Sequence, residues 1–145
     1  MVRLSLEELY KEVILDHYRA PRNKGQLDPH DVALERNNPL CGDEIELFLK
    51  FEDDSVEGIA FDGKGCSISQ ASASMMTEKV KGLDIKDATE LAESIKRMMA
   101  GDEEGDPKTL GDLVSLKGVV KYPVRIKCAL LGWNTLLEAI EESKQ

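Results

Sequence analysis

Apolar positions at Leu6, Leu9, Tyr10, Val13 and Ile14, continued by His17, follow the spacing of one helix face. Ser5-Leu6-Glu7-Glu8 places an N-cap serine three residues before a glutamate, a capping-box start. Ala20-Pro21-Arg22-Asn23-Lys24-Gly25 stops that helix. A short strand is expected over residues 32–36. Beyond it, Ile45, Leu47, Leu49 and Phe51 alternate with Glu44, Glu46, Phe48, Lys50 and Glu52, the period of a half-buried strand. Asp53-Asp54-Ser55 reads as a hairpin turn, and residues 56–62, with Ile59 and Phe61 on one face, as the antiparallel partner.

The period then changes. From Ser67 a helix rich in small residues, SISQASASMMTEKV, runs to Lys81-Gly82, and a second over residues 87–100 turns Ala88, Leu91, Ala92, Ile95, Met98 and Met99 inward. Gly101 suits the position just past its end. Residues 102–118 are polar and glycine-rich except for Leu110, Leu113, Val114 and Leu116, which suggest one short helix. Tyr122-Pro123-Val124 opens a last helix through Cys128, with Ile126, Leu130, Trp133, Leu137 and Ile140 inward. Three strands followed by helices on one side predict an α+β sandwich.

Length and charge narrow the functional classes. A chain of 145 residues fits one domain, 1–145, with a sizeable core. The net charge of −9 argues against nucleic acid or an anionic membrane as partner, because no basic stripe is available to neutralise phosphates. The stretch MVRLSLEELYKE carries charges every few residues and no apolar export segment, and no run is long enough to span a bilayer. A cytoplasmic location is the expectation. Three cysteines, an odd number, disfavour a disulfide framework and leave buried thiols, a metal site or a reactive thiol.

The cysteines carry the candidate chemistry. Their spacing, C-x24-C-x61-C, fits no zinc ribbon or thioredoxin-type motif. Each falls at an element boundary instead: Cys41 before a strand, and Cys66 and Cys128 at helix starts, where partial positive charge favours a thiolate. Asp43 is a fourth candidate. In an extended Cys41-Gly42-Asp43 segment, the outer two side chains point the same way. A Cys3Asp set suits zinc, and its surplus of about −2 over the ion's charge could be offset by Arg125 and Lys127, which flank Cys128. Ordinary alternatives stand beside these readings. A cysteine can be a small core hydrophobe, Asp43 a strand-entry residue, and Arg125 and Lys127 surface cations. His17 reads as a core or helix-end residue and His30 as exposed; the small residues 69–74 could serve close packing alone. From the residues themselves, the outcome is a Cys/Asp site for a metal or a reactive thiol.

Three segments go further. Pro39-Leu40-Cys41-Gly42-Asp43, Gly63-Lys64-Gly65-Cys66-Ser67-Ile68-Ser69-Gln70-Ala71-Ser72-Ala73-Ser74 and Pro123-Val124-Arg125-Ile126-Lys127-Cys128 resemble the cysteine segments of the U-type iron–sulfur cluster assembly proteins, the IscU, SufU and NifU N-terminal group. LYKEVILDHYRAPRNKG resembles that family's first helix and turn. The resemblance implies a three-stranded antiparallel sheet with helices packed on one face. It also implies that Cys41, Asp43, Cys66 and Cys128 gather as ligands of zinc, or of iron in a transient [2Fe–2S] cluster. Sulfur would come from a cysteine desulfurase and pass to a downstream scaffold or apo-protein acceptor. Lys127 stands where IscU proteins have a histidine, and residues 101–118 lengthen the interval between the second and third cysteines; both features resemble the SufU branch. The Leu-Pro-Pro-Val-Lys chaperone segment of IscU proteins appears only as Lys121-Tyr122-Pro123-Val124-Arg125.

The expectation is therefore a zinc-dependent sulfur acceptor with Cys41 as the nucleophile. A cluster scaffold is the alternative within the same chemistry, and a structural zinc interaction module lies outside it. A cysteine hydrolase would need His17 or His30 as base beside Cys66.

Overall fold

A computed structural model describes residues 5–144; Met1–Leu4, part of the charged N-terminal stretch, and Gln145 lie outside the described residues. The Ser5 hydroxyl accepts the Glu8 N–H at 3.1 Å and starts helix α1 (Leu6–Arg19). Ile14 and His17 are buried, but Leu6 and Leu9 stand exposed, so the apolar stripe read from the sequence begins a turn too early.

Strands β1 (Val32–Asn38), β2 (Asp43–Glu52) and β3 (Ser55–Lys64) form an antiparallel sheet in the order β1-β2-β3. Asp53 and Asp54, with φ of 49° and 65°, make the two-residue turn between β2 and β3, the left-handed pair that matches hairpin twist. Alternation along β2 holds for Ile45, Leu47 and Leu49, which face the helices. Phe48 departs from it: it is buried on the opposite face, where the His30 ring packs against it in a T-shaped pair at a centroid distance of 5.3 Å.

The helices cover one face of the sheet. Helix α2 (Ser67–Val80) is buried from Ser69 to Thr77, which a one-sided apolar stripe cannot satisfy. Its small side chains admit α1 and the C-terminal helix, and its hydroxyls find partners there. Ser72 Oγ donates to Ala129 O at 2.6 Å and accepts the Trp133 Nε1–H at 3.1 Å. Helix α3 (Ile85–Met99) buries Ala88, Ala92, Ile95, Met98 and Met99, starting two residues before the expected position. Where one short helix was expected over 102–118, a single turn α4 (Pro107–Leu110) leads into a 3-10 segment, Gly111–Val119. Leu113, Leu116 and Val119 recur every third residue, so the tighter helix puts all three on one buried face. Helix α5 (Pro123–Ser143) opens with proline at its first position and buries Cys128, Trp133, Leu136 and Ile140. Among the described residues no helix is long and apolar enough to cross a membrane.

Candidate metal centre

The β1–β2 connection holds the first two candidates. Asn38 O accepts the N–H groups of Cys41 (3.2 Å) and Gly42 (2.9 Å), and Gly42 has φ of +69°. The segment is thus a tight turn and not the extended strand entry expected from i, i+2 parity. The turn leaves Cys41 half-buried and sends Asp43, fully buried, into the first position of β2.

Cys66 is the N-cap of α2, and its N–H donates to Asp43 Oδ1 at 2.8 Å. A carboxylate at a helix N-terminus is favoured by the exposed N–H groups and the helix dipole. The Cys66 thiol lies 4.0 Å from Asp43 Oδ2. Gly65 makes this approach possible: a Cβ there would stand 2.5 Å from Asp43 Oδ1 and 2.6 Å from Ser69 Oγ. Gly65→Ala should therefore break the Asp43–Cys66 hydrogen bond and cost about 1–3 kcal/mol. Thermal denaturation checks it, and an unchanged midpoint would contradict the steric argument.

Cys128 sits in the second turn of α5, deeper than a helix-start position, and is buried. Its Sγ is 2.8 Å from Cys41 Sγ, both thiols being free. Burial pushes its pKa far up, helped by contacts with Cys41 and Asp43 and by the charge of Cys66. The Arg125 guanidinium lies beside Cys66 and Cys128, whose anionic forms raise its pKa. Lys127 is exposed.

The ligand atoms of Cys41, Asp43 and Cys128 lie within 4.8 Å of one another, from parts of the chain up to 87 residues apart. Cys66 stands at the rim, against Asp43, outside that trio. Sulfur and carboxylate donors that converge in this way fit a zinc ion, which takes thiolates near 2.3 Å and carboxylates near 2.0–2.2 Å.

A second group was not read from the sequence as a cluster. His17 is buried; its Nδ1 meets Ser74 Oγ at 2.8 Å and its Nε2 meets Asp112 Oδ2 at 2.9 Å, with Glu78 Oε1 at 3.8 Å. Both ring nitrogens are thereby engaged in joining α1, α2 and the 3-10 segment. His30, exposed, bonds Leu27 O through Nδ1 at 2.8 Å. Neither histidine ring has its bonding partner at Cys66, so the hydrolase arrangement finds no base. Asn37 and Asn38, ahead of Pro39, carry only a turn signal in the sequence.

The α+β sandwich thus gathers Cys41, Asp43 and Cys128 at one end of its sheet. The model of the NifU-like N terminal domain matches residues 9–142, and the chain belongs to that family, which includes the IscU and SufU proteins. It is 47% identical over 140 residues to the zinc-dependent sulfurtransferase SufU of Bacillus subtilis, covering 97% of this chain and 95% of that protein. It is also 47% identical over 143 residues to the iron–sulfur cluster assembly scaffold protein IscU of Streptococcus pyogenes, covering 99% and 89%. A crystallised candidate scaffold protein for the SUF system from Fervidobacterium islandicum superposes with a TM-score of 0.85 at 34% identity, covering 94% of this chain and 99% of that one.

Proposed function

We propose that this chain, acting as one domain, works in iron–sulfur cluster biogenesis: Cys41 accepts sulfur from a cysteine desulfurase beside a zinc-binding Cys3Asp set and passes it on for cluster assembly. The observation that carries this reading is the asymmetry of the thiols. Cys41 is half-buried on a turn, while Cys128, 2.8 Å away, is enclosed in a helix. One thiol is placed to meet a donor, and the other to remain.

Cys41, Asp43, Cys66 and Cys128 would hold the zinc, which supplies the positive charge that keeps thiols deprotonated. Arg125, beside Cys66 and Cys128, offsets the surplus negative charge, and exposed Lys127 adds to it at longer range. The Cys41 thiolate attacks the terminal sulfur of the donor's persulfide. The donor's S–S bond breaks, the donor leaves as a thiolate, and the sulfane sulfur is carried as a new persulfide on Cys41, with no net oxidation or reduction. Leu40, Tyr122 and Val124 are exposed on the segments that carry Cys41 and Cys128, an apolar rim for the docked partner. The chain's net charge of −9 favours a donor with a basic surface around its own cysteine. Free thiols fit a reducing compartment such as the cytoplasm.

The test is the metal content of protein purified without added metal, read together with desulfurase turnover. One zinc per chain and stimulated turnover are expected; zinc-loaded protein that leaves turnover unchanged would sink the acceptor role and favour a structural ion. A second reading, the scaffold, draws on the same thiols and carboxylate, whose donor set could hold iron and sulfide as cargo. Anaerobic reconstitution with iron, cysteine and desulfurase would then yield a [2Fe–2S] cluster that transfers intact to an apo-protein.

A further inference from the structure

Asn38 closes β1 on the strand's inward parity, with Val32 and Leu34, and pairs with Asp43 across the sheet. It is 8% exposed. Its Oδ1 accepts the Leu40 N–H at 3.2 Å, and its backbone O accepts from Cys41 and Gly42. That first bond fixes which end of the amide is which, because the reversed amide would set a donor against a donor. The remaining donor, Nδ2, is buried without a partner, the one such side-chain atom among the described residues. Buried donors are almost always matched, so an orphan on the residue that opens the turn carrying Cys41 points to an acceptor that arrives later.

We propose that Asn38 is a positioning residue whose side-chain Nδ2–H donates to the sulfur carried on Cys41. The inference rests on the acceptor role proposed above. The Cys41 thiol lies against Cys128, and Nδ2 has no hydrogen-bond partner among the described residues. A persulfide extends Cys41 by one S–S bond, about 2.05 Å, and adds an anionic sulfur, a charge-assisted acceptor. The amide therefore favours the loaded state over the empty one. It also holds the terminal sulfur in one direction for the next acceptor.

The experiment equilibrates the zinc-loaded full chain with mixtures of glutathione persulfide and glutathione. Cys41 loading is read by alkylation and peptide mass mapping, alongside zinc content. In this exchange the sulfane sulfur moves to Cys41 and glutathione thiol is released, so the half-loading ratio measures persulfide stability directly. Asn38→Asp keeps the acceptor for Leu40 N–H but removes the donor and adds charge. Asn38→Leu removes donor and acceptor without charge. Both should need about a tenfold higher persulfide-to-thiol ratio, the worth of one hydrogen bond to a charged group, with zinc content unchanged. Equal loading in wild type and both variants overturns the inference, as does an effect in only one variant, which would assign it to charge or to the turn. Parallel loss of zinc also overturns it, by placing the amide's role on the metal ligands. Wild-type Cys41 that never loads would instead defeat the acceptor role itself.

Discussion

Cys41→Ser leaves a folded protein that accepts less than about 1% of the labelled sulfur taken by wild type, because a serine hydroxyl supplies neither the thiolate fraction nor the nucleophilicity that the exchange needs. The fold should hardly notice. Cys41 is half-buried on a turn whose hydrogen bonds run from the N–H groups of residues 41 and 42 to Asn38 O and from the Leu40 N–H to Asn38 Oδ1, none of them using the Cys41 side chain. For the metal-free protein the expected stability change is within about 0.5–1 kcal/mol. The measurement is mass spectrometry of the chain after incubation with desulfurase and labelled cysteine, with a thermal melt as control. Sulfur found on the serine variant at the wild-type level would remove Cys41 from its role and turn attention to Cys66, whose thiol is the other half-exposed one.

Asp43→Asn should abolish most of the stability that zinc confers. The asparagine oxygen can still accept the Cys66 N–H, now 2.8 Å from Asp43 Oδ1, so the α2 cap survives. What is lost is the anionic oxygen in the trio with Cys41 and Cys128. A neutral amide is a poor zinc ligand, and a hundredfold fall in affinity is the expected scale, worth about 2.7 kcal/mol of metal-linked stability. Thermal denaturation with and without zinc checks this. In wild type zinc should raise the midpoint; in the variant the rise should shrink to a small residue. An equal rise in both proteins would mean that Asp43 serves only the helix cap.

Much of the fold was legible because local period and turn chemistry agree. The β2–β3 hairpin needed only alternation and two aspartates able to take positive φ. The start of α1 needed only Ser5 and Glu8. Phe48 was not legible, since it is buried on the face that alternation assigns to solvent, where His30 from the loop before β1 packs against it. Nor was the 3-10 segment: Leu110, Leu113 and Leu116 fit either helix type over so short a run, and packing decided between them.

The site divides in the same way. Its residue types and their placement at element ends belong to the sequence, since Cys41, Gly42 and Asp43 are neighbours and a turn of asparagine, proline and glycine is a local matter. The tertiary structure alone decided which groups meet. It brought Cys128 to Cys41 across 87 residues, set Cys66 at the rim through its N–H, and put Arg125 rather than Lys127 beside the thiols. It also buried Asn38 Nδ2 with no partner. Linear order fixes neighbours along the chain, but distances across it follow from packing three strands under five helices.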